Sequence, residues 1–286
     1  MHHDNGFSEI RGRLDGSFRP APDLRDKVVL SSISHGAHVC TQAPGVGIKY
    51  VARGTEYYTF DGRTYAVKAG QFLCVSQALA SQVEVKRTGS DTLGMCLFIR
   101  SHLHTEEADP LLVSPLIFSE RCSMLGGMLS DTMGKLVRPA AERQQLAASL
   151  LSNVRSGLDL LLDDTFREFS SLKHAKAGTR FESLRRLHRA RAYLHDVTDR
   201  SVELVEVAEV CGMSRFHLLR QFKECFGETP ASYHRRLRLQ LAKTAIAQKR
   251  VSASEAAHRY GFASGSSFSH AYRRCHGSPP VRHQGS

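Results

Sequence analysis

The sequence has no tryptophan and only 9 prolines in 286 residues, and no apolar run approaches the ~18 residues that cross a bilayer. Met1 to Ile10 is polar and lacks the apolar core of a secretory signal, so no membrane partner is expected and a cytoplasmic location follows. Seven cysteines, an odd number, lie scattered at 40, 74, 96, 122, 211, 225 and 275. They contain no Cys-x-x-Cys pair, so neither a disulfide framework nor a zinc knuckle is indicated. What is present, 41% apolar and 23% charged residues with 22 glycines, describes an ordinary globular chain and excludes disordered and collagenous ones. The length suggests two domains of roughly 100–200 residues each.

The formal net charge is +11, unevenly spread. Residues 1–179 hold 20 Lys and Arg against 19 Asp and Glu, whereas residues 180–286 hold 19 against 9. A near-neutral front joined to a strongly basic rear points to a polyanion-binding module attached to something else.

Beyond an N-terminal arm (1–25), residues 26–100 carry a succession of strand signals. Val46 to Val51 is apolar and β-branched. Tyr57-Tyr58-Thr59-Phe60 meets the hairpin signal Asp61-Gly62 and returns as Thr64-Tyr65-Ala66-Val67. Ala69-Gly70 precedes Gln71 to Val75, Gln82 to Lys86 alternates apolar with polar, and Thr92 to Arg100 is again apolar. Strands this closely spaced indicate a small barrel or sandwich. From Ser114 the period becomes helical. Leu146, Leu150, Val154, Leu158, Leu161 and Leu162 form a stripe that serves as core or as a homodimer seam over 146–162, with two shorter helices before it and breaks at Gly126-Gly127 and Arg138-Pro139. A first domain thus spans 26–169. The polar stretch 170–180 reads as a linker, and 181–286 as a helical domain.

Two helix-turn-helix units stand in that last domain, at about 201–226 and 252–275. In the first, Ser201 caps a helix over 202–210, Cys211-Gly212-Met213 turns, and Ser214 caps a second helix over 215–225. Leu218 and Phe222 face inward, and Arg215, Phe216, Leu219, Arg220 and Lys223 face outward. The second repeats the grammar. A helix spans 252–259, Tyr260-Gly261-Phe262 turns, and Ser264 opens a helix to Arg274 with Phe268 and Tyr272 inward. Gly265, Ser266, Ser269, His270 and Arg273 lie on its outer face. A repeat of turn, cap and core spacing is far harder to obtain by chance than a single motif. Between them Thr229 (N-cap) and Pro230 (N1) start a helix with Tyr233, Leu237, Leu241 and Ala245 as its stripe. At ~1.5 Å per residue it is roughly 27 Å long, a spacer for two reading helices about one DNA turn apart. Base-reading candidates are Arg215, Phe216, Leu219, Arg220, Gly265, Ser266, Ser269 and His270. Phosphate-contact candidates are Ser214, Lys223, Arg235, Arg236, Arg238, Ser264 and Arg273.

Residues 184–280 resemble the DNA-binding domain of the AraC/XylS family of bacterial transcription regulators. The resemblance rests on Arg189 to Leu194, on Gly212-Met213-Ser214 with Leu218, Arg220, Phe222 and Lys223, and on Phe226 to Pro230. It continues in Arg236-Leu237-Arg238-Leu239, Tyr260-Gly261-Phe262, Phe268-Ser269 and Gly277-Ser278-Pro279. His270 stands where the family often has Arg, His276 where it usually has a buried Phe, and Leu219 where a polar residue is common. A buried His must be satisfied, so the second unit is expected to pack loosely and the first to supply most direct readout.

The strand series over 46–100 resembles the cupin-like regulatory domain of the same family. This implies an α+β two-domain protein, a β-barrel with flanking helices followed by an all-α domain. The competing class is a metal-dependent cupin enzyme with a basic nucleic-acid-binding tail. Metal-binding cupins use a His-x-His pair, a Glu and a distant His, whereas the strand before Asp61-Gly62 offers Lys49, Arg53 and Glu56. His102 with His104, and His35 with His38, lack an identifiable third ligand, and the Ser170 to Lys173 Ser-x-x-Lys string lacks any other part of a nucleophile site. Cys40, Cys74 and Cys96 in the strands read as small hydrophobes. Tyr50, Tyr58, Phe60, Tyr65, Phe72 and Phe98 are core candidates of which a subset would line an effector pocket. The expected protein is therefore a regulator and not an enzyme, with neither metal nor cofactor. Its expected partners are double-stranded DNA, a small-molecule effector, RNA polymerase if it activates, and a second copy through 146–162.

Overall fold

The computed structural model describes residues 6–15, 26–40, 45–76, 81–86, 90–99, 115–136, 142–173 and 176–280. The chain divides into two compact units, Met1–Arg167 and Glu168–Ser286.

The first unit is a nearly closed antiparallel barrel. Its strands are β1 (Phe7–Asp15), β2 (Lys27–Cys40), β3 (Val46–Arg53), β4 (Thr55–Phe60), β5 (Arg63–Lys68), β6 (Gln71–Ser76), β7 (Ser81–Val85), β8 (Thr92–Ile99) and β9 (Leu116–Ser119). They follow the order β5-β4-β7-β2-β8-β3-β6-β9. The β4–β5 hairpin turns at Asp61-Gly62, where both residues take positive φ (47° and 74°), as a tight two-residue turn demands. Along β4 the burial alternates, sending Glu56, Tyr58 and Phe60 inward. β3 and β6, paired from Val46 opposite Ser76 to Val51 opposite Gln71, are almost wholly buried, which explains their continuous apolar character. Val51, Tyr58, Phe60, Val67, Leu73, Val75 and Val83 form one core cluster, and Phe72 stacks on Phe118 at 5.2 Å.

Residues 7–15, read as part of an arm, form β1, parallel to β2 from Phe7 opposite Val28 to Asp15 opposite Ala37. The strand is mostly polar and shows no clean alternation. Its attachments are Ile10 against Ile33 and Val85, and Glu9, whose carboxylate takes the Arg143 guanidinium at 3.1 Å. Gly126-Gly127 is not a break. Both glycines lie inside α1 (Met124–Leu136), because Gly126 rides so close to Glu120 that a Cβ would sit 2.3 Å from its carbonyl oxygen. Arg138-Pro139 and the His102–His104 pair lie outside the described residues.

The stripe over 146–162 is core. It lies on α2 (Arg143–Ser171), where Leu150, Val154, Leu158 and Leu161 are each 5% exposed or less within the single chain. A face already packed inside its own unit is not free for a second copy, so the expected dimer seam over 146–162 is corrected. The start of the stretch read as a linker is also structured. α2 continues to Ser171, Leu172 is buried, and Phe169 packs on Phe181 with ring centres 4.5 Å apart.

The second unit comprises α3 (Ala177–Asp196), α4 (Leu204–Cys211), α5 (Arg215–Phe226), α6 (Pro230–Ala247), α7 (Ala253–Arg259) and α8 (Gly265–His276). It is one three-helix pattern used twice, α3-α4-α5 and α6-α7-α8. Val207, Ala208, Leu218 and Phe222 are buried in the first half. Leu239, Ala242, Ile246, Ala256, Ala257, Phe268 and Tyr272 make the core of the second.

Candidate nucleic-acid interface

Each unit turns on a glycine in the left-handed region, Gly212 at φ 65° and Gly261 at φ 64°, where a side chain would be strained. The same two bonds close both turns. Met213 N–H donates to Ala208 O and Phe262 N–H to Ala257 O, while Gly212 and Gly261 N–H donate to Glu209 O and His258 O. An arginine from the preceding long helix then reaches each turn carbonyl. Arg186 donates to Gly212 O at 2.8 Å, and Arg238 donates to Gly261 O at 3.1 Å and Tyr260 O at 2.9 Å. The first helix of the first unit starts at Leu204 with Glu203 in the N-cap position, not at Ser201. The preceding segment is tied instead by Arg200 to Glu206, which also accepts the Tyr193 hydroxyl. The second unit starts on Ser252, which forms a reciprocal capping box with Glu255.

The outward helices are α5 and α8. Ser214 and Ser264 are their N-caps, their hydroxyls accepting the N–H of His217 and Ser267. Fifty residues on, the same places recur. Leu218 matches Phe268 and Phe222 matches Tyr272 as buried anchors, and Gly227 matches Gly277 as left-handed C-caps. On α5, Arg215, Phe216, Leu219, Arg220 and Lys223 are all exposed, Phe216 to 70% and Leu219 to 41%. The Arg220 guanidinium lies over the Phe216 ring at 5.9 Å, so cation and aromatic form one outward group. On α8, Gly265, Ser266, His270 and Arg273 are exposed and Ser269 is half-buried. At equivalent turns the first unit therefore shows an apolar and guanidinium surface, and the second shows hydroxyls, an imidazole and one guanidinium.

On α6, Arg235 and Arg236 are exposed. Arg236 is held by Glu228 at 2.6 Å and lies over the Tyr233 ring. Arg238 is corrected. It is buried, and its guanidinium satisfies the two turn carbonyls and covers the Phe262 ring at 4.9 Å, so it points into the domain and not to solvent. The expected looseness at His276 is absent. Its Nε2 donates to Leu239 O at 3.3 Å and its ring meets Tyr272 edge-on at 4.5 Å. Three roles had gone unassigned in the sequence. Arg186 holds the first turn. His234, its pKa lowered by burial, donates to Val197 O at 2.6 Å. His217 sits exposed on α5 with its Nδ1 3.0 Å from the Ser214 hydroxyl. Only His217 had a legible signal, its place three residues after an N-cap serine.

In the barrel, Lys49 and Glu56 serve the interior: the Tyr58 hydroxyl donates to Glu56, and the Lys49 ammonium lies 4.3 Å from the Phe98 ring centre. The Tyr50 hydroxyl donates to Glu120 at 2.5 Å, and burial raises its pKa. His35 shares a hydrogen with the Ser34 hydroxyl. Burial also raises the pKa of the Cys74 thiol, consistent with a packing role. No helix among the described residues is long and apolar enough to cross a membrane.

Residues 207–284 match the family model described as a helix-turn-helix domain. Over 92 residues, 32% of its length, the chain is 36% identical to the probable transcriptional regulator LumQ of Photobacterium leiognathi, and covers 37% of that protein. Over 87 residues, 30% of its length, it is 32% identical to an AraC-like transcription regulator of Streptomyces lividans, covering 29% of it. The matches thus span well under half of these relatives. Among solved structures, an AraC-type regulator from Chromobacterium violaceum is 28% identical, covering 37% of this chain and 90% of that one with a TM-score of 0.33. ToxT of Vibrio cholerae, in a structure with an unsaturated fatty acid bound, is 11% identical over 90% of this chain and 92% of its own, with a TM-score of 0.35. The family model lies across both turns, and the chain is similar over about a third of its length to AraC-type transcription regulators.

Proposed function

We propose that the chain is a sequence-specific DNA-binding transcription regulator and not an enzyme. One observation carries this: two capped helices, each at the same place in a repeated unit, present their outer faces to solvent in a part of the chain with ten more cationic than anionic side chains. Such helices enter the major groove, and cationic neighbours displace the counterions condensed on phosphate. On α5, Arg220 has the donor fork that matches guanine O6 and N7, and Phe216 and Leu219 meet thymine methyls. On α8 the hydroxyls of Ser266 and Ser269 and the imidazole of His270 discriminate less sharply, so the first unit supplies most of the direct readout. Lys223, Arg235, Arg236 and Arg273, with the capping residues Ser214 and Ser264, meet backbone phosphates. The barrel of residues 26–169 receives a small-molecule effector, and an activator of this kind meets RNA polymerase.

The test is selection of duplexes from a randomised library by the full chain. Binding should enrich a defined sequence, hold it against random competitor and weaken steeply with salt. Failure to enrich any sequence would reject the reading.

A further inference from the structure

The last turn of α2 is built into the DNA-reading half of the molecule through one half-buried carboxylate. Glu168 receives His188 Nε2 at 2.7 Å and Arg191 at 2.6 Å, both from α3, and the Arg191 guanidinium lies 3.1 Å from His188 Nδ1. The His188 side chain is 1% exposed, and those of Arg191 and Glu168 are 12% and 13% exposed. Beneath this triad lies Phe226, the last residue of α5. The Arg191 guanidinium covers its ring at 4.7 Å, and His188 meets it edge-on at 6.1 Å. Phe226 packs in turn on Phe222 at 4.6 Å and Tyr233 at 6.3 Å. One residue earlier, the Cys225 thiol donates to the Glu168 carbonyl at 3.9 Å. The last two residues of the first reading helix thus rest on Glu168 or on its partners. Burial alone would raise the Glu168 pKa, but His188 and Arg191 outweigh it and hold the group ionised, at about 2. Burial pushes the His188 pKa down, leaving Arg191 as the permanent charge of the set.

We propose that Glu168 is a positioning residue for DNA reading: through Arg191 and His188 it fixes Phe226, and thereby the angle at which α5 presents Phe216 and Arg220 to the groove. This rests on the proposed function and goes beyond it, because Glu168 lies 47 residues before α5 begins and its carboxylate is taken up by His188 and Arg191. Among the described residues, the equivalent place in the second half shows a different set of partners. There His276, fifty residues after Phe226, is held by the Leu239 carbonyl and the Tyr272 ring. Any disturbance of Glu168 should therefore act on one unit only.

The experiment uses the full chain and the duplex it selects from a randomised library. Base pairs are assigned to α5 or α8 by the preferences lost in Arg220→Ala and His270→Ala. Glu168→Gln keeps the side-chain length and removes the charge. It should reduce preference about fivefold or more at the α5 base pairs, a loss on the scale of one good base contact, and leave the α8 base pairs unchanged. A purely structural role would lower the melting temperature while both sets of preferences stayed the same or fell together, and either result overturns the proposal. If Glu168→Gln does not fold, Phe226→Leu removes the ring that Arg191 covers and should give the same one-sided loss; an even loss or none overturns the proposal. If the wild-type chain enriches no sequence, the proposed function itself falls, and this inference with it.

Discussion

Replacing Arg238 by alanine separates two incompatible roles for one side chain. In the sequence it belongs to an Arg-rich run on the linking helix and reads as a phosphate contact. In the structure it is 6% exposed and its guanidinium donates to Tyr260 O at 2.9 Å and Gly261 O at 3.1 Å. Hydrogen bonds from a charged group contribute about 1.5–3 kcal/mol each, and truncation leaves two turn carbonyls to be re-solvated. Water enters part of the vacated space, so the net loss should be about 2–4 kcal/mol, a large share of the 5–15 kcal/mol typical of a domain. For a unit of this size that lowers the melting midpoint by roughly 8–16 °C. Because no phosphate contact is removed, the slope of log affinity against log salt should not change, whereas loss of one such contact lowers it by about 0.9. Thermal denaturation and a salt titration on the selected duplex, both on the full chain below the lowered midpoint, give the two numbers. An unchanged midpoint with a shallower salt slope would refute the internal role.

Arg220→Ala should lower the ratio of selected to random duplex affinity by about 1–3 kcal/mol, while Arg236→Ala should weaken both alike and reduce the salt slope by about one; an unchanged ratio for Arg220→Ala removes it from the base-reading set. Leu158→Glu places a charge at a fully buried position of the first unit and should destabilise it by about 3 kcal/mol or more; a stably folded variant altered only in oligomeric state would contradict the core assignment. Gly212→Ala and Gly261→Ala both force a side chain to positive φ, at a cost of about 1 kcal/mol. Only at Gly261 would the new Cβ also meet backbone, 2.4 Å from both Arg200 Cα and Asp199 O, so its denaturant midpoint should fall clearly further; equal shifts would contradict the packing.

Much of the second unit was legible because its signals are local. Gly212 and Gly261 mark turns, Ser214, Ser264 and Thr229 mark caps, and Leu218, Phe222, Phe268 and Tyr272 recur at helical spacing. Each depends on neighbours a few residues away, which the sequence displays directly. The misreadings share the opposite property. Arg238 is drawn inward by carbonyls 22 and 23 residues on, and Gly126 stays helical because Glu120 needs its missing side chain. β1 exists because β2 offers a parallel partner, and Ser170-Ser171 looks like a tether until Phe169 finds Phe181. The stripe over 146–162 was ambiguous on principle, since an apolar helix face looks the same whether its own chain or another covers it.

The central claim, that α5 and α8 both enter the major groove of one duplex, is tested most directly by methylation interference at guanine N7, a major-groove atom. On the selected duplex, interfering guanines should fall in two clusters on one face, about 10 base pairs apart, the span of one helical turn. The cluster contacted by α5 should disappear in Arg220→Ala while the other persists. Interference confined to one cluster in the wild-type chain, or binding indifferent to methylation throughout, would contradict the account.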